Sequence, residues 1–245
     1  MIKLNLNVPT CWEDLSQKQL FYYFYLVSSG KYSLDEIKAM CLLRFAGVSV
    51  ENDGQRYQLV VDKRKYNMHP RQIAEVLYTM DWLGNTPVYP VRIDMIQKRR
   101  ARFDPFMRDL TLSNYTVLEN LYQGYLHTKD NTLVEDMALI LYGDKLKLTA
   151  PEVYAVFFWF TTLKNYLSDF FPNYFVPAPV SPNDDTDLAE IGRRLEKQQA
   201  TQLRALTKGD ITKEKQILNT SIWSAFAELD AQAEEYAKME KQLKK

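Results

Sequence analysis

A mainly α-helical fold with a small β-sheet is predicted by three features of this 245-residue sequence. Helix-start signals recur ahead of amphipathic stretches. Glycine is scarce, at 8 residues, which disfavours a loop-rich all-β chain and glycine-rich phosphate loops. An unbroken apolar run, VYAVFFWF from Val153 to Phe160, leads into a segment with helical periodicity.

The elements follow in order. Ile2, Leu4, Leu6 and Val8 alternate with polar residues and read as a strand. In LSQKQL, Ser16 and Gln19 form a capping box, with Leu15 and Leu20 as the hydrophobic staple, opening a helix at 17–29. YSLDEI repeats the device through Ser33, Glu36, Tyr32 and Ile37, opening 34–46. RYQLVV at 56–61 reads as a strand after an Asp53-Gly54 turn. Pro70 at a first helical position opens 70–83. PVYPVRIDMI at 87–96 reads as an edge strand, because its prolines exclude a central one. Leu110-Thr111 opens 112–127, and Thr132 with Glu135 forms a box without a staple for 132–142.

Thr149 and Glu152, with Leu148 and Val153, open 150–170. A membrane span needs about 20 mostly apolar residues. Here the run stops at Phe160, Lys164 and Asp169 follow, and Pro172 ends the helix. The segment is therefore expected to be a central core helix, buried all round at its start and amphipathic later.

VPAPVSPNDDTD, residues 176–187, reads as an extended, solvated linker. It separates a globular domain, 1–175, from a helical hairpin, 188–245, with helices near 187–206 and 212–242. On the second helix Ile222, Phe226, Leu229, Ala233 and Tyr236 form a seam at coiled-coil spacing. On the first, Leu188, Ile191, Leu195, Leu203 and Leu206 form a stripe broken at Gln198, Gln199 and Gln202. The hairpin is thus expected to bury its seam imperfectly and to dock only partly on the main body. Trp223, Phe226, Leu229 and Tyr236 are the candidate partner-binding residues: some of them are expected to be left for a partner, a second copy or a helix of another protein, and the alternative is that these aromatics pack on the main domain.

Signals for chemistry are few. Standard nucleotide-binding and serine-hydrolase motifs do not occur in the sequence. His69 and His127 lack metal-ligand spacing, and Cys11 and Cys41 read as reduced thiols. Asp184, Asp185 and Asp187 lie in the linker and read as solvation. No catalytic residue, metal or cofactor is assigned, and the expectation is that the protein is not an enzyme. MIKLNLNVP lacks the long apolar stretch of a secretory signal. Basic and acidic residues balance at 31 each, so no overall field favours nucleic acid or anionic lipid. The one basic cluster is Lys98, Arg99, Arg100 and Arg102, beside Phe103 and Phe106. Phosphate contact and base stacking there are the alternative to a solvated, salt-bridged segment, which the flanking Asp94, Asp104 and Asp109 favour.

VPTCWEDLSQKQL near the start resembles the opening of small tailed-phage proteins, notably tail assembly chaperones. LRALTKGDITKEKQILNTSIWSAFAELDAQAEEY is similar to the end of proteins from phages and prophages of Bacteroidetes. Together these cover about a fifth of the chain. The resemblance implies a tail assembly chaperone of the host bacterial cytoplasm, which holds the helical tape-measure protein soluble until the tail tube forms. The alternative is a structural component of the virion, such as a head-tail connector, neck or other capsid-associated protein. A homo-oligomer is compatible with either, a membrane role is not expected, and nucleic-acid binding is the third reading.

Overall fold

The structure is a computed structural model that describes residues 8–52, 57–61, 63–68, 70–176 and 188–243. It is mainly α-helical with a small antiparallel sheet, as predicted. Residues 2–7 of the expected first strand, the Asp53-Gly54 turn, His69 and most of the linker lie outside the described residues.

Capping fixes the first helices. α1 (Gln17–Ser28) and α2 (Leu34–Ala46) begin with reciprocal boxes. In the first, the Ser16 N–H donates to Gln19 Oε1 at 2.9 Å; in the second, the Ser33 N–H donates to Glu36 Oε2 at 2.8 Å. The sheet follows as a meander of β1 (Ser49–Asn52), β2 (Tyr57–Val61) and β3 (Arg64–Met68), with Leu59 buried. Of these strands only β2 was legible as a pattern.

α3 (Pro70–Leu77) is shorter than the 70–83 helix expected. It tightens into a 3-10 helix, Tyr78–Gly84, which carries Met80 and Leu83 into the core. The edge strand expected at 87–96 is reduced to its end, β4 (Met95–Ile96), paired with β5 (Arg99–Arg100). The stretch before it satisfies its backbone with side chains instead of a ladder. Val91 N–H donates to Thr162, Asp94 N–H to Gln17, and the Ile93 carbonyl accepts from the Tyr142 hydroxyl at 2.6 Å.

α4 (Leu112–Thr128) is capped by Thr111. α5 (Asn131–Tyr142) is capped by Asp130, not by the expected Thr132 box. Glu135 is drawn off to accept the Leu148 N–H at 3.2 Å, so it does not reach back to its own helix start. α6 (Ala150–Phe170) is the expected core helix, packed between α1 and α5. Val156, Trp159, Phe160, Leu163 and Leu167 have no exposed surface, whereas Phe170 is exposed. Among the described residues, no helix is long and apolar enough to cross a membrane.

The C-terminal region departs most from expectation. α7 (Leu188–Thr207) is as expected, but the second helix is broken. A 3-10 turn, Ile211–Lys213, and α8 (Glu214–Leu218) precede α9 (Ile222–Leu243). The break exists because Thr220, Ser221 and Ile222 bond to the body. Thr111 and Ser221 form an antiparallel bridge, with the Leu112 N–H donating to the Thr220 carbonyl and the Ile222 N–H to the Leu110 carbonyl, both at 2.9 Å. The starts of α4 and α9 are thus tied together. Ile222, Ala225, Phe226 and Leu229 are buried in the same cluster as α6. The first half of α9 is therefore core, while its second half, from Tyr236 to Leu243, stays exposed.

Candidate protein-binding groove

The four seam residues chosen from sequence fall in two environments. Trp223 is half-buried, donates its indole N–H to the Phe106 carbonyl at 3.0 Å, and lies edge-on to Phe170 and Phe171. Phe226 is fully buried among Tyr115, Phe171, Tyr174 and Phe175, with ring centroids 5.0–6.2 Å away. Leu229 is buried beyond it. Tyr236 is 79% exposed. Of the four, Phe226 and Leu229 serve the fold, Trp223 mainly so, and Tyr236 is left outward.

The segment after α6 explains the division. Pro172 stops α6, and the chain turns through Asn173 and Tyr174, whose backbone N–H groups donate to Asp230 at 2.8 and 3.0 Å. That clamp holds Tyr174 and Phe175 against Phe226. One turn later on α9 the body ends. Ala233 and Tyr236 then face an open groove of about 730 Å³, floored by Phe175, Val176 and Leu229 and walled by Gln198, Thr201, Gln202 and Ala205 of α7. Its rim carries Lys197, and Arg194, which pairs with Glu190 at 2.7 Å.

The glutamines that interrupt the α7 stripe have a structural reason. Gln199 donates to Asn120 at 2.8 Å, and Gln202 donates to the Tyr174 hydroxyl. Beneath them Glu119 accepts from Lys164 at 2.5 Å, with the ammonium also over the Tyr122 ring. Leucines in place of these glutamines would leave that polar ground unmatched, so α7 docks by amides.

α9 continues its apolar stripe past the groove. Met239 is 58% exposed, and Leu243, one heptad after Tyr236, is 88% exposed. On one continuous stripe, α9 is buried in its first half and exposed in its second.

The basic cluster lies elsewhere. Arg99 pairs with Asp144 at 2.7 Å, an acid outside the flanking aspartates named from sequence. Phe103 packs on the core, and Phe106 is held by Tyr89 and Tyr166 with Arg108 over its face, so neither ring is presented for stacking on bases. His127 sits in the last turn of α4. Among the described residues, no group of three His, Cys, Asp or Glu side chains gathers as a metal site. The thiol of Cys41 is pushed up to about 12 by burial, and the Tyr115 hydroxyl is also raised by burial.

The glutamine contacts and the Asn173–Asp230 clamp carry no short sequence motif; only the FPNYF turn, with its proline stop and aromatic pair, hinted at them. No family model, curated protein or solved structure matches this chain.

Proposed function

We propose that this chain is a non-enzymatic assembly protein that binds an amphipathic helix of another protein in the groove between α7 and α9. The observation that carries the reading is the stripe on α9, internal as far as Leu229 and open from Ala233 to Leu243. A helix laid along it would complete a three-helix layer with α7 and α9 and remove Tyr236, Met239 and Leu243 from water. The amide wall of Gln198 and Gln202 and the cationic rim at Lys197 favour a partner helix with an apolar face edged by acidic residues.

Taken with the resemblance to tail assembly chaperones, the partner is the tape-measure protein and the place of action is the host bacterial cytoplasm. The test is co-expression with the tape-measure protein of the same phage or prophage. Co-purification with the native chain is expected, and its loss in Ala233→Arg, which fills the groove while keeping helix propensity. Equal recovery with both forms would remove the groove from the account. Mass spectrometry of mature virions separates chaperone from structural component: a stoichiometric amount there would make the chain a neck or connector protein.

A further inference from the structure

The fold assembles a basic face that neither of its segments shows alone. β4 and β5 are joined by Gln97 and Lys98, both left-handed at φ 47° and 68°, so the turn is a tight two-residue hairpin. This hairpin lies on the loop after α5. Gln97 donates to the Lys147 carbonyl at 2.9 Å, Arg99 holds Asp144, and the Arg102 N–H donates to the Leu141 carbonyl at 2.9 Å. Arg102 also passes over Gly143, where a Cβ would stand 3.0 Å from its Cδ. Gly143 is left-handed at φ 82°, so glycine meets both the turn and the close approach.

Lys98, Arg100, Arg102, Lys145 and Lys147 are therefore brought together, all exposed and without an ion pair among the described residues. Nearby acids are already engaged. Asp94 pairs with Arg92 at 2.8 Å, Asp144 with Arg99, and the buried Glu152 accepts from Thr149 and Gln97. Five unpaired cations on a backbone fixed by a tight turn and cross-loop hydrogen bonds make a local positive surface on a neutral chain.

We propose that this face binds the phosphate backbone of duplex nucleic acid, without sequence preference. Arg100 and Arg102 offer planar forks suited to phosphate oxygens. A single-stranded ligand would call for aromatic platforms, and Phe103 and Phe106 are taken up by the fold. The site is on different elements from the α7–α9 groove and stands independently of it.

The test is fluorescence anisotropy of a short labelled DNA duplex with the full chain across a salt series. Five phosphate contacts set a ceiling of about 4.5 on the slope of log Kd against log salt. Combined Arg100→Ala and Arg102→Ala should lower the measured slope by about 1.8, and Asp144→Asn, which frees Arg99, should raise it by about 0.9. All three positions are accessible to solvent, and an unchanged melting temperature verifies the fold. Salt-independent binding, slopes unmoved by these changes, tighter binding of the matching single strand, or capture by phosphatidylserine vesicles with no duplex binding would each overturn the proposal.

Discussion

Replacing Phe226 by alanine should destabilise the whole protein, because α9 belongs to the core up to Leu229. Phe226 is 1% exposed and ringed by four aromatic side chains, two edge-on within 5.2 Å. Truncating a buried phenylalanine costs about 3–5 kcal/mol, transfer and cavity terms together. The cluster's ring–ring geometry, worth roughly 0.5–1.5 kcal/mol for each pair beyond area, puts this site toward the upper end. For a chain of this size the loss corresponds to roughly 6–20 °C in melting temperature, at about 2–4 °C per kcal/mol. Urea denaturation followed by circular dichroism gives the free energy, and the tryptophans give a second probe of the same transition. Tyr236→Ala is the control, expected within about 0.5 kcal/mol because the side chain lies mostly in water. A loss below about 1 kcal/mol for Phe226→Ala, or a chain ending at residue 175 that melts like the full protein, would refute the placement of α9 in the core.

Phe160→Ala should cost a similar roughly 3–5 kcal/mol by the same denaturation assay, since that side chain has no exposed surface in α6. At the start of α2, the backbone N–H and hydroxyl of Ser33 hold the Glu36 carboxyl below its ordinary 4.5. A depressed carboxyl stabilises the fold above its unfolded pKa, and the contribution is lost as pH falls through the lower folded value; carbon-detected NMR titration should show that lower value, and Ser33→Ala should return it toward 4.5. With its thiol at about 12 and the side chain fully buried, Cys41 should resist a disulfide reagent at pH 8 until the protein unfolds, while the more accessible Cys11 reacts in the native state. Two equivalents released at one fast rate would contradict the burial.

What could be read from sequence was local. Ser16–Gln19, Ser33–Glu36 and Thr149–Glu152 announce their helices because a box is written within a few adjacent residues, and the α6 core run needs only periodicity. The misses came from partners distant in the chain. Glu135 has the spacing of a box with Thr132, yet Leu148 takes its carboxylate. The 87–94 stretch has strand-like composition, yet Gln17, Tyr142 and Thr162 satisfy its backbone. The 212–242 pattern runs helical through Asn219–Ser221, and only the bridge to Thr111 shows why it breaks. The seam on α9 was legible as a seam. Its division at Leu229 was not, because it depends on where Tyr174 and Phe175 are placed by the Asp230 clamp. Lys145 and Lys147 gave no signal alone; Gly143 and the 97–102 hairpin bring them to the basic face.

The proposed partner helix lies along α9 beyond Leu229. Hydrogen–deuterium exchange of the chain alone, and mixed with the proposed partner, a phage tape-measure protein, measures it directly. Backbone amides of α9 from Ala233 to Leu243 and of α7 around Gln198 to Ala205 should slow in the complex, with α1 and the β1–β3 meander unchanged. Protection confined to the meander or to the 97–102 hairpin, with α9 exchanging as in the free protein, would contradict the account.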